Sequence, residues 1–432
     1  MGSPSSYRSA EQFGATVTEL GARLHRLSWD DLPASARERL ELALLDLVGV
    51  AEAGMRTPEL QALGAATPSG PIDDTWMRAV AAACLELDEG NKYAVGHPAA
   101  HVFFAAVAAA RDHDRPVTGQ ELLAAVAGGY ELAARLGRSL RRDPRWHTHG
   151  HWGVLGAAWT AARVRGLDAD ECARAVGAAG SLMRVAPWQA VLDGDFTRNL
   201  WMADAVLAGL RAADLAAAGL APPPSSAYAG LSLVGEVDAS SITAQPDRWL
   251  CGEGYLKLHS ACSYTHPAVD LVLALRGQIP DASGVHVRTG SLSAPLLQRR
   301  TDSRLAAMFS LPFVVATAWA HGEVTPEVMD PAGEAFAESA RLLDAVDVEI
   351  DEGLDQWLPD RRVTEVSVSD GATTISLAAP NPVGDAAHFP LTADDVRAKL
   401  TRLLGEGDAA QVERMMRSLP SSPDAAAWSR PA

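Results

Sequence analysis

From Phe13 to about Gly219, apolar residues recur every three or four positions in long Ala- and Leu-rich runs, the spacing of helices that each bury a face. Several runs carry their own start signals. In "TGQE" (118–121) and "DADE" (168–171) an acceptor side chain precedes the run and a carboxylate follows three residues on, so both predict capping boxes. "LPASARERLELALLDLVGVAEAG" is a further unit of this kind, closed by a glycine. The pattern predicts helix packed on helix.

After "APPPSS" (221–226), and again near Gly284, the period changes. "GVHVRTG", "AVDVEID", "TEVSVSD" and "TTISL" alternate apolar with polar residues and are rich in β-branched types, which predicts half-buried strands. Asp370-Gly371, between the last two, predicts a hairpin. Thr392 is placed to cap a final amphipathic helix in "PLTADDVRAKLTRLLGEG", and the tail beyond Pro420 reads as a frayed end. No repeat of solenoid period is present.

Composition narrows the function classes. With 432 residues and 48% hydrophobic content the chain has material for a large core and for two or three domains. Lys plus Arg number 37 against 54 Asp plus Glu, and a net charge of −17 repels phosphate backbones and acidic bilayers, so neither nucleic acid nor membrane is expected as a partner. An acidic substrate would need a pocket that gathers cations against this field. Cys84, Cys172, Cys251 and Cys262 are widely spaced with no CxxC pair, which suits a reducing cytoplasm. The opening "MGSPSSYRSAEQFGATV" lacks a basic region followed by an apolar one, so no signal peptide is expected. Leu305–Gly322 is a long apolar stretch without Asp, Glu, Lys or Arg, but Ser310, Pro312, Thr317 and His321 interrupt it, as in a buried helix or loop.

Five segments combine titratable groups with turn residues. In "LELDEGNKYAVGHPAAHV", Glu86, Asp88, Glu89 and Asn91 precede His97 and His101 at a helix start, where a carboxylate can fix an imidazole tautomer; an acidic loop with solvated histidines is the plain alternative. "HTHGHWG" places His147, His149 and His151 on alternate positions at the start of a small-residue helix. Such an end favours anion binding or proton transfer over a metal, because no HExxH or cysteine cluster supplies further ligands. Arg198 follows a Gly-Asp turn, and its fork suits a carboxylate. Lys257, His259, Cys262 and His266 lie within ten residues at the junction of the two textures, where pockets tend to form. "MFSLPFVVATAWAHG" contributes Phe309 and Phe313, which on their own read as core aromatics.

Taken in order, "LHRLSWDDLPASARERLELALLDLVGVAEAG", "GHPAAHV", "GYELAARLG", "WHTHGHWGVLGAAWTAARVRGLDADECARAVGAAGS", "KLHSACSYTHPAVD", "FSLPF", "SDGATTISL" and "PLTADDVRAKL" resemble the MmgE/PrpD family across nearly the whole chain. The resemblance implies a mainly α fold: a large helical domain over 8–253 completed by 389–420, and a smaller α+β lid over 254–388, leaving 421–432 as the loose tail. It also implies an active site between the two parts, a homodimer, and elimination or decarboxylation of small polycarboxylic acids with no cofactor and no metal. His97 and His147 match family pocket histidines, and Lys257 a pocket lysine. Arg198 lies where many members have lysine, and Cys262 where members have cysteine or histidine. The family's acidic motif falls on Glu86 or Asp88, in a register open by one or two residues. Phe313 sits where some relatives carry tyrosine, so a phenolic donor is absent.

The expected activity is therefore a cofactor-independent lyase, a dehydratase or decarboxylase, acting on a small di- or tricarboxylic acid. His97 or His147 takes a proton beside a carboxylate; Lys257 and Arg198 stabilise the charge that develops; Asp88 supports the base. Glu86, Cys262, His266 and Phe313 are expected around the substrate, His149 and His151 to tune the turn or contact the lid, and Lys257→Met to cripple turnover with little loss of fold. An epimerase using the same proton abstraction, a histidine metallohydrolase and a non-catalytic binding protein are the rival readings.

Overall fold

The computed structural model describes residues 4–67, 70–184, 186–279 and 283–428. It is mainly α, with a smaller α+β part toward the C-terminus. Both capping boxes form. Thr118 Oγ1 accepts from the Glu121 amide at 3.2 Å while Glu121 accepts from the Thr118 amide at 2.8 Å, and Asp168 with Glu171 repeats the arrangement.

The helix Trp152–Val164 is apolar nearly all round, and it packs against Pro98–Arg111, Gly119–Ser139, Ala169–Ala179 and Thr197–Ala217. A helix with no polar face belongs in a core. Small residues let these axes approach: a Cβ on Gly209 would stand 2.7 Å from that of Ala157, and one on Gly156 2.6 Å from that of Ala133. The helix Ala34–Gly54 forms the other side of this core and receives the chain's C-terminal helices. Where one final helix was expected there are two, because Gly405 takes a left-handed φ of 84° between Ala393–Leu404 and Glu406–Ser418. Of the expected loose tail, Ala425–Trp428 forms a helical turn whose first amide bonds Val117 O at 2.7 Å, and 429–432 lie outside the described residues.

Among the described residues there are six strands. Two short ones, β1 (Leu140–Arg142) and β2 (Gly235–Val237), pair antiparallel within the helical region and were not expected from the pattern. The others are β3 (Gly284–Thr289), β4 (Val346–Ile350), β5 (Thr364–Ser369) and β6 (Thr374–Ala379), in the order β4-β3-β5-β6. β3 and β4 run parallel, the remaining pairs antiparallel, and the Asp370-Gly371 turn joins β5 to β6 as predicted. Alternate residues Val285 and Val287 of β3 and Val366 and Val368 of β5 face the helices His266–Leu275 and Leu311–His321 and form a second hydrophobic cluster. That cluster also takes in Ala186, Trp188, Val191 and Trp201 from the helical region, so the two parts interdigitate. Among the described residues all four cysteines are free and buried, and no helix is long and apolar enough to cross a membrane.

Candidate active site

The loop 85–97, between the helices Pro71–Cys84 and Pro98–Arg111, carries the acidic motif. It is pinned from three sides. Asn91 exchanges backbone hydrogen bonds with Gly96 (2.7 and 3.3 Å), Gly90 does so with Tyr255 (3.0 and 2.7 Å), and the Lys399 ammonium, itself paired with Asp46 at 2.7 Å, donates to Leu87 O at 2.9 Å. Gly96 is required by a close approach, since a Cβ there would meet Trp152 at 2.5 Å and Thr148 Oγ1 at 2.8 Å. Glu86 (φ 52°) and Val95 (φ 53°) are two of the three described non-glycine residues in the left-handed region, and both line the same cavity. Backbone strain in this loop is thus concentrated where the side chains converge.

The cavity is walled by His97, Glu86 and Val95 from the loop, His147 and Thr148 from the histidine segment, and Arg198 from the start of Thr197–Ala217. Tyr255, Cys262, Tyr264, Phe309 and Arg362 come from beyond residue 253, so both parts of the chain contribute. Behind the wall lies a fully buried charge cluster. Lys257 Nζ sits 3.2 Å from Glu86 Oε2 and 3.2 Å from Asp88 Oδ1, Arg198 pairs with the other oxygen of Glu86, and Asp88 Oδ2 is 3.0 Å from His97 Nδ1. Burial opposes the charge on Asp88, yet His97 and Lys257 outweigh it and hold the carboxyl well below its usual range. Burial likewise opposes the Lys257 ammonium, and Asp88 and Glu86 reverse the effect and raise it. Both registers left open by the sequence are therefore used: Asp88 reaches the histidine, and Glu86 the two cations.

The two pocket imidazoles have opposite polarity. His97 Nδ1 lies 2.6 Å from Glu89 O as well as 3.0 Å from Asp88, both acceptors, so Nδ1 carries the proton and Nε2 offers a lone pair to the cavity. His147 Nδ1 instead accepts the His149 amide at 3.2 Å, so its proton sits on Nε2. Burial first, then Arg198 and Arg142, lower the His147 pKa well below the ordinary value, which keeps it neutral.

Several expected residues sit elsewhere. Phe313 packs against Phe336 (centroids 4.6 Å apart) inside the second cluster; Phe309, one turn earlier, faces the cavity beneath the Arg198 guanidinium at 5.3 Å. His266 is buried against Ala261 O (3.1 Å) and the His259 ring rather than lining the cavity. Cys262 does line it, but burial pushes its thiol up to about 11, so it contributes shape and not a nucleophile. His149 is fully buried, edge-on to His97 (4.9 Å) and His147 (4.4 Å), and contacts no lid residue in these ring pairs. Among the described residues no group of three or more His, Cys, Asp or Glu is arranged to hold a metal ion.

Two lining arginines escaped the sequence reading, as did the aromatic walls Trp188, Tyr255 and Tyr264. Arg142 ends β1, whose alternation sends Arg141 outward to Glu236 and Arg142 inward. Arg362 precedes β5, its guanidinium held between the rings of Tyr255 (5.0 Å) and Tyr264 (5.2 Å) with a bond to Ser263 Oγ at 3.3 Å. Strand alternation could have flagged the first; nothing local marks the second.

Comparison with known proteins places this geometry in context. The MmgE/PrpD N-terminal domain profile matches residues 18–241 and the MmgE/PrpD C-terminal domain profile residues 259–419. A cis-aconitate decarboxylase from Aspergillus terreus is 21% identical over 338 residues, 67% of this chain and 69% of that protein.

Proposed function

The chain belongs to the MmgE/PrpD family, and from that premise we propose that it is a lyase removing water or carbon dioxide from a small carboxylic acid by proton transfer at the carbon beside a carboxylate. One observation carries the reading: a single cavity between the two parts presents a histidine that accepts, backed by a buried aspartate, and a neutral histidine that donates. The relative's activity as a decarboxylase supports the same class of chemistry.

In the dehydration, His97 Nε2 takes the proton, and the positive charge that forms on its ring is stabilised by Asp88 through Nδ1–H. The pair of electrons left on carbon spreads into the adjacent carboxylate. His147 Nε2–H bonds an oxygen on which charge grows; being neutral, it polarises that oxygen instead of surrendering its proton. The pair then forms the carbon–carbon double bond as the β-hydroxyl departs, taking the proton back from His97 to leave as water. His97 ends as it began. Lys257 and Arg198 act one step back from their expected place, fixing Glu86 and Asp88 so that the base is held in register.

The test is a panel of hydroxy-, methyl- and unsaturated di- and tricarboxylates incubated with the purified protein in heavy water and followed by proton NMR. Alkene formation or decarboxylation is expected, lowered by about a hundredfold to ten-thousandfold in His97→Gln with the fold intact. Exchange of the α-hydrogen with no alkene or carbon dioxide would replace the lyase with an epimerase; near-normal turnover by His97→Gln would remove its role as base.

A further inference from the structure

The cavity has a charge balance that selects among acids. Arg198 and Lys257, the cations expected to meet substrate, are already matched by Glu86 and Asp88 in the buried cluster, so that foursome sums to zero. The buried imidazole of His147 is neutral. What remains on the wall is Arg142 and Arg362. Among the described residues neither has a carboxylate within ion-pair distance: the neighbouring Asp143 is taken by Arg145 at 2.8 Å, and Arg362 rests on two tyrosine rings and a serine hydroxyl. In a chain of net charge −17 two guanidinium groups facing one cavity without a counter-ion are an exception that invites anions.

We propose that Arg142 and Arg362 are the substrate's two carboxylate anchors and that the site takes a dianion, a dicarboxylate, in preference to mono- and tricarboxylates. The proposal rests on the lyase reading only in taking this cavity as the substrate site. Each fork can hold one carboxylate in a bidentate, charge-assisted pair. A monoanion leaves one guanidinium unmatched. A trianion brings a third charge for which the wall holds no unmatched guanidinium. The anchors come from different parts of the chain, β1 in the helical region and the approach to β5 in the α+β part, so a dicarboxylate spanning them ties the two together over the cavity. The rings of Tyr255 and Tyr264 hold the Arg362 guanidinium in place before any ligand arrives, which lowers the ordering cost of binding.

The experiment measures binding of succinate, glutarate, butyrate and tricarballylate to the intact protein by isothermal titration calorimetry, cross-checked by quenching of Trp188 on the cavity wall. At least one dianion is expected to bind about tenfold or more tightly than butyrate and tricarballylate. Arg142→Gln and Arg362→Gln should each weaken that dianion by about tenfold to a hundredfold, the loss of one hydrogen-bonded charge pair. Arg362→Lys should fall between, and Arg288→Gln, at a β3 arginine that pairs with Asp351 and does not line the cavity, should bind as the parent does. Arg142 ends a three-residue strand outside the larger sheet, so its variant decides the matter if Arg362→Gln fails to fold. Tightest binding of tricarballylate, no binding by either dianion, or unchanged dianion affinity in the folded Gln variants would overturn the proposal. Arginine-dependent dianion binding without any turnover would sink the lyase reading alone; turnover of a tricarboxylate with KM unmoved by either substitution would sink the dianion alone.

Discussion

Replacing Lys257 with Met removes the one ammonium that faces both Glu86 and Asp88, each 3.2 Å away and all three buried. Sequence alone suggested a functional loss in an intact fold. The structure predicts a stability loss as well, because breaking a buried ion pair strands its partner and typically costs about 3–5 kcal/mol. The pH dependence follows from the shifts. The Asp88 pKa is depressed on folding, so its contribution is present above the unfolded carboxyl value of about 4 and fades as pH falls below it. The Lys257 pKa is raised, so its contribution is present below about 10 and fades as pH rises further. The gap between parent and Lys257→Met, read from urea unfolding by far-ultraviolet circular dichroism, should therefore be widest at neutral pH and shrink below about pH 4. Adding Asp88→Asn removes one stranded charge and leaves Glu86 matched by Arg198, so the double variant should recover about 1–3 kcal/mol relative to the sum of the singles. A Lys257→Met protein within about 1 kcal/mol of the parent at pH 7, or strict additivity with Asp88→Asn, would refute the buried cluster as described.

Further outcomes follow from single residues. Thr392→Ala breaks the capping box with Asp395 and should lower stability by about 1 kcal/mol in urea titrations, without altering ligand binding. Cys262, its thiol pushed up by burial to about 11, should resist iodoacetamide at neutral pH in the native protein and react only after denaturation, by mass spectrometry. Glu89 is pushed up to about 8 by burial, against the opposing hydrogen bond from Tyr130, so its contribution to stability is present below about pH 4.5 and is lost as pH rises through 8; Glu89→Gln should flatten that part of the stability profile.

What could be read from the chain was what is local. Helical spacing, the Thr118 and Asp168 caps and the alternating strands depend on neighbours within a few residues, and they appear as expected. His97, His147 and Arg198 could be singled out because their types and turns are unusual, but their roles depend on what each ring nitrogen or guanidinium meets. Lys257 was assigned to substrate because its partners, Glu86 and Asp88, lie some 170 positions earlier in the chain and only folding brings them to it. Phe313 was preferred to Phe309 because it sits where some relatives carry tyrosine; the turn at Phe309–Ser310 ahead of the helix Leu311–His321 sends Phe309 to the cavity and Phe313 to the core. Arg142 and Arg362 stayed invisible for a different reason. Thirty-seven Lys and Arg residues look alike in a sequence, and lacking a counter-charge is a property only coordinates reveal.

The account turns on two imidazoles of opposite polarity in one cavity. Nitrogen-15 labelling of the histidine rings, with long-range proton–nitrogen correlation spectra assigned through His97→Gln and His147→Gln, reads each tautomer without knowledge of the substrate. The account predicts the Nδ1-protonated tautomer for His97 and the Nε2-protonated tautomer for His147. The same tautomer at both, or His147 protonated at both nitrogens, would contradict it.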